Sequence, residues 1–150
     1  MGLGAHSSQM VFGGGSSSFS GAIAGANGAL VKNGTGTFTL SGANSYTGPT
    51  EVEAGTLIGN TGSIRNTLLN AGTVVFDQRD NGVFASMIVG LKGESGDMIK
   101  RGSGVLTLAK ESRLDWTVEE GRVIAQAEQF RSRAVTLRGC PSMYSRTSAS

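Results

Sequence analysis

Laid over itself, the chain repeats, and that constrains its fold more than any single motif. Residues 19–58 match residues 84–124 in order. Phe19, Ile23 and Gly25 correspond to Phe84, Ile88 and Gly90, and Leu30-Val31-Lys32-Asn33-Gly34-Thr35-Gly36 to Met98-Ile99-Lys100-Arg101-Gly102-Ser103-Gly104. Phe38-Thr39-Leu40 then meets Leu106-Thr107-Leu108, and Val52-Glu53-Ala54-Gly55 meets Val118-Glu119-Glu120-Gly121. The register moves by 65 to 68 residues along the way. A shorter period lies inside: Ala54-Gly55-Thr56-Leu57-Ile58 returns seventeen residues later as Ala71-Gly72-Thr73-Val74-Val75. Repeats at spacings near twenty belong to solenoids, where each coil buries its apolar face only against its neighbours.

The repeated segments are short alternations. In a strand successive side chains point to opposite faces, so Phe38 and Leu40 point inward while Thr37 and Thr39 face water. Val52 between Glu51 and Glu53 reads the same way, as do Thr73–Phe76 and Val105–Leu108. Glycine makes up 24 of 150 residues, and with asparagine it supplies left-handed backbone at corners. The expected architecture is all-β, a short parallel β-helix. At about twenty residues per coil, residues 19–139 make roughly six coils and a rod of about 30 Å. A β-sandwich also gives short strands, but it requires no self-match and usually buries more aromatics than six Phe, two Tyr and one Trp. Residues 1–18, with Gly13-Gly14-Gly15 and Ser16-Ser17-Ser18, read as a flexible leader, and residues 140–150 as a disordered tail. The two copies then span about 19–83 and 84–139. Within the second, Gly121–Arg133 carries helical spacing at Val123, Ala127, Phe130 and Ala134; the repeat alignment favours strand, with Ala134–Leu137 as another.

Residues 34–58 read Gly-Thr-Gly-Thr-Phe-Thr-Leu-Ser-Gly-Ala-Asn-Ser-Tyr-Thr-Gly-Pro-Thr-Glu-Val-Glu-Ala-Gly-Thr-Leu-Ile. This text closely resembles the autotransporter-associated β-strand repeat, or passenger-associated transport repeat, of Gram-negative type V secretion. The second copy, Lys100–Ile124, keeps Gly102, Gly104, Leu106, Thr107, Leu108, Trp116, Val118 and Gly121 but departs at Lys110-Glu111-Ser112-Arg113 and has Leu114 for Tyr. The resemblance implies a right-handed parallel β-helix within a passenger domain, displayed at the cell surface or released. It implies as partner a C-terminal outer-membrane β-barrel of the same parent protein, and a scaffold role in secretion. Adhesion to a host surface, glycans or abiotic ligands is the alternative it suggests, and a polysaccharide-cleaving β-helix a third. The chain itself shows neither a secretory signal at Met1–Gly15 nor the alternating strands of a membrane barrel at its end, and so reads as a fragment.

Asp77 and Asp80 with Asn81 offer oxygens to a cation, but calcium needs six to eight and the nonapeptide pattern of calcium β-rolls is absent, so they read as a polar turn. Glu119-Glu120 as paired acids, and Asp115 beside Trp116 as a sugar platform, give way to a solvated corner and to packing. Gly34-Thr35-Gly36 and Gly102-Ser103-Gly104 open no helix and lead to no Gly-Lys-Ser/Thr, which argues against a nucleotide site. Thr35, Thr37 and Thr39 form a hydroxyl row that reads as an ordinary solvent-facing strand, and Asn44 and Tyr46 read as structural. Cys140 and His6 are each the one residue of their type, leaving no intramolecular disulfide, multi-cysteine zinc site or Ser-His-Asp scheme. Arg122, Arg131, Arg133, Arg138 and Arg146 against Glu128 make residues 121–150 basic, without the stacking aromatics of a nucleic-acid surface. The expectation is therefore no enzyme, no cofactor, no metal, no nucleic-acid partner, and no catalytic, cofactor-binding or metal-ligating residues.

Overall fold

A computed structural model describes residues 8–12, 15–21, 23, 28–64, 66–126, 135–137 and 144–147. These form sixteen strands and no helix: β1 Ser8–Phe12, β2 Ser17–Phe19, β3 Gly28–Lys32, β4 Thr37–Leu40, β5 Thr50–Val52, β6 Thr56–Gly59, β7 Leu68–Asn70, β8 Thr73–Asp77, β9 Gly82–Phe84, β10 Ile88–Val89, β11 Asp97–Arg101, β12 Val105–Leu108, β13 Asp115–Val118, β14 Arg122–Gln126, β15 Val135–Leu137 and β16 Tyr144–Thr147. They fall into three sheets, in the orders β1-β3-β5-β7-β10, β2-β4-β6-β8-β11-β13-β15 and β9-β12-β14-β16. Every strand-to-strand pairing in these sheets is parallel. From β7 to β12 the chain visits the first, second and third sheet in turn, twice over; β13 to β16 then alternate between the second and third, and Ser112 continues the first side only as an isolated parallel bridge to Ile88. This is the parallel β-solenoid that the repeat predicts.

One register column runs the length of the second sheet: Ser17, Phe38, Leu57, Val74, Met98, Trp116 and Val135 are successive Cα partners. Six steps therefore cover the 118 residues from Ser17 to Val135, about twenty per step. At about 4.8 Å between paired strands the column is close to 29 Å tall. Phe38, Leu57, Val74, Met98 and Trp116 are all at most 3% exposed. The alternation that buries them leaves Thr37, Thr39, Thr56 and Thr73 on the outside, half-buried.

Two features differ from the sequence expectation, and the strand within Gly121–Arg133 follows it. Ser8–Phe12 pairs with β3 and Tyr144–Thr147 with β14, so paired strands extend beyond residues 19–139 into both terminal stretches. Gly121–Arg133 contributes the strand Arg122–Gln126, whose Val123 and Ala125 are buried; residues 127–134 lie outside the described residues. The two copies also do not occupy the same sides. The first places β3 and β5 in the first sheet and β4 and β6 in the second, whereas the second places β11 and β13 in the second sheet and β12 and β14 in the third. A shift of about 66 residues at about twenty per turn is three and a third turns, so the motif is carried round by one side.

In the early coils the third side holds no strand among the described residues, because the Ser41–Gly48 stretch lacks apolar alternation. Asn44 holds these coils instead. Its Oδ1 accepts from Ile23 N at 2.7 Å and its Nδ2 donates to Ser63 O at 2.8 Å, bridging the coil below and the coil above. Its own N–H donates to Gly62 O at 3.0 Å. The side chain is 5% exposed, which fits a buried polar group with its partners in place.

Candidate functional site

The acidic residues singled out in the sequence do not converge. Glu119 pairs with Arg101 at 2.8 Å on the surface, and Glu120 is exposed. Asp77 lies 3.8 Å from Arg79, while Asp80 points to water and Asn81 Oδ1 accepts from Val105 N at 2.9 Å. An open groove of about 370 Å³ runs beside this ledge, lined by Thr39, Ser41, Ile58, Asn60, Asp77 and Asp80 among others. Among the described residues no group of three His, Cys, Asp or Glu is placed to hold a metal ion. Asp115 is the Cα partner of Asp97 on the neighbouring strand. Trp116 is no open platform: it is 1% exposed, its ring is stacked on Phe76 at 6.2 Å, and its Nε1 donates to Ser112 Oγ at 2.9 Å. Thr37 lies in register with Thr56 and Thr56 with Thr73, so the hydroxyl row also climbs the solenoid. Cys140, His6, Arg131, Arg133 and Arg138 lie outside the described residues.

The structure also adjusts the repeat alignment. Val118 stands 66 residues after Val52, which sets Ser112 against Tyr46 and Trp116 against Thr50. In the first copy Tyr46 Oη and Thr50 Oγ1 are hydrogen-bonded at 2.6 Å. In the second Trp116 Nε1 bonds Ser112 Oγ, so aromatic and hydroxyl have exchanged ends of one buried pair. Leu114, buried at 2%, is therefore not the counterpart of Tyr46.

The chemistry that the two copies share was not singled out in the sequence. Lys32 is the last residue of β3 and Lys100 the last but one of β11, and they are 1% and 0% exposed. Both point inward because each stands two residues after an inward residue, Leu30 or Met98. The Lys32 ammonium donates to Asn33 O at 2.8 Å, Gly34 O at 2.7 Å and Ala54 O at 3.4 Å. The Lys100 ammonium donates to Arg101 O and Gly102 O at 2.6 Å, Glu120 O at 3.2 Å and Gln78 O at 3.4 Å. The acceptors are main-chain carbonyls at corners where Gly34 and Gly102 turn with φ of 78° and 80°. A compact ammonium with three donors suits such a cradle; the flat guanidinium fork does not. The one sequence signal is the recurrence of Lys-x-Gly-x-Gly followed, about twenty residues later, by glycine.

Burial draws both lysine pKa values below the usual 10.5, and for Lys100 the charges of Glu120 and Asp77 partly oppose this. A lowered lysine pKa means that the folded state binds fewer protons than the unfolded chain between the lowered value and 10.5. Stability should therefore rise with pH across that window, as the penalty on the buried charge is relieved. Urea midpoints measured at intervals from pH 7 to about 10 should climb for the wild type relative to a Lys32→Met, Lys100→Met double variant. Parallel curves would show that the two ammonium groups are not desolvated.

Residues 30–58 match the family model of the passenger-associated transport repeat. That span holds the Lys32 cradle, its Gly34 turn and Gly55 of the following coil. No curated protein matches the chain, and neither does any solved structure. The repeat and the parallel solenoid together fit a segment of an autotransporter passenger.

Proposed function

We propose that this chain is a non-catalytic β-solenoid segment of an autotransporter passenger, acting as a surface stalk and supporting passage and folding of the passenger across the outer membrane. The observation that carries the reading is the repeat at residues 30–58 sitting in a solenoid whose sheets are paired in parallel, coil upon coil. In such an array each coil gains its contacts from the one before it, so structure accumulates stepwise on the far side of a membrane and opposes back-sliding. The partner is the C-terminal outer-membrane β-barrel of the parent protein, and the location is the cell surface or beyond it. Host and glycan contacts are no part of this reading.

The test places residues 1–150 between a secretory signal and an outer-membrane barrel and measures surface exposure by added protease. Deleting residues 30–58 removes more than one coil and should lower surface display by about tenfold, against a flexible linker of equal length in their place as second control. Equal display from the intact, deleted and linker forms would overturn a role in export.

A further inference from the structure

Each buried ammonium draws its acceptors from more than one coil. For Lys32, Asn33 O and Gly34 O belong to its own corner and Ala54 O to the next coil. For Lys100, Arg101 O and Gly102 O are its own, Glu120 O comes from the next coil and Gln78 O from the previous one. The next coil also makes the room. Gly55 and Gly121 have φ of 71° and 75°, and a Cβ there would stand 2.8 Å from Lys32 Nζ and 2.6 Å from Lys100 Nζ. Any larger residue would crowd the ammonium and, nearer still, the carbonyls of Gly34 and Gly36 or of Gly102 and Gly104, as well as adopt a backbone conformation that L side chains avoid.

We propose that Lys32 and Lys100 are latches between consecutive coils, each closing only when the coil carrying Gly55 or Gly121 has docked. Until then the ammonium keeps its water. Docking removes that water and supplies the last carbonyl in the same step, so charge-assisted hydrogen bonds offset part of the desolvation cost as it arises. The smallest unit that closes is thus the lysine coil with the glycine coil above it, joined at Lys100 by the coil of Gln78 below. The main-chain bonds that accompany closure run the same way, from Glu53 N to Lys32 O at 2.7 Å and from Glu119 N to Lys100 O at 2.9 Å. The latch is a property of the fold and holds whether or not the chain is exported.

The test is amine acylation of the folded full-length chain, followed peptide by peptide by mass spectrometry. Exposed Lys92 and Lys110 give the reference rate. In the wild type, Lys32 and Lys100 should react about 100-fold more slowly, through local opening. Gly121→Ala should speed Lys100 about tenfold or more and leave Lys32 within about twofold, and Gly55→Ala should do the reverse. A glycine variant that speeds both lysines equally, or neither, overturns the latch. Should a variant fail to fold, the wild type in urea below its transition decides instead. Opening at Lys100 should then track hydrogen exchange at Glu119, Glu120 and Arg122 of the next coil; tracking Arg101 and Ser103 alone overturns the proposal.

Discussion

Replacing Trp116 with alanine should lower the unfolding free energy by about 3–5 kcal/mol, a large part of what a domain of this size possesses. The indole is fully buried, stacked on Phe76, which in turn meets Phe84 edge-on with ring centres 5.3 Å apart and planes at 68°. These three rings form one aromatic cluster in a core that is otherwise mostly aliphatic, with Phe38 and Tyr46 elsewhere in it. Removing one leaves a cavity that a solenoid cannot close, because each coil is held at strand-pairing distance from its neighbours. The loss also strips Ser112 Oγ, 0% exposed, of its Trp116 partner, which adds to the cost. Trp116→Phe keeps most of the volume and should cost about 1–2 kcal/mol. Urea unfolding followed by far-UV circular dichroism checks both. A change below about 1 kcal/mol for alanine would mean that the ring does not lie in the core.

Lys100→Met is the second large effect, expected at about 2–4 kcal/mol. Methionine retains the stem and fills similar space, so the change isolates the ammonium. Four carbonyl oxygens, of Gln78, Arg101, Gly102 and Glu120, lose a donor at once. Unmet carbonyls in a dry corner cost more than an exposed ion pair is worth. Lys92→Met, which removes the surface pair with Glu53 at 3.1 Å, should therefore change stability by less than about 0.5 kcal/mol. Lys100→Arg should not rescue, since the corner accepts a point charge and Gly121 leaves no room for a planar fork. The same urea series compares all three. A Lys100→Met variant as stable as the wild type would show that water satisfies the corner unaided.

The strands were legible because alternation is a local signal. Phe38 and Leu40, Val52, Leu106 and Leu108 all face inward as their spacing says. The glycine corners were legible too, and Asn66 joins them with φ of 61° and an amide that donates to Tyr46 O at 2.6 Å and Gly48 O at 2.9 Å. The buried lysines were not. A lysine between an apolar pair and a glycine turn reads as an exposed strand end, since burial of a charge depends on carbonyls about twenty residues away that no local window contains. Which side of the solenoid a strand joins was equally hidden, because a period of two separates inside from outside but says nothing of which of three sheets receives it. The exchange of Tyr46–Thr50 for Ser112–Trp116 escaped because conservation of a pair of roles, with the residue types swapped, looks like degeneration when positions are compared one at a time.

The displacement of the second copy by one side has a consequence for how such a chain diversifies. Had the duplicated stretch spanned whole turns, every outward residue would have been stacked over its ancestor. Instead Glu53 meets Lys92 and Glu119 meets Arg101, each in new company on a different flank. A three-sided spiral can accept copies in thirds of a revolution while its inward rhythm stays intact. Lengthening the shaft and decorating a fresh flank are then the same genetic event.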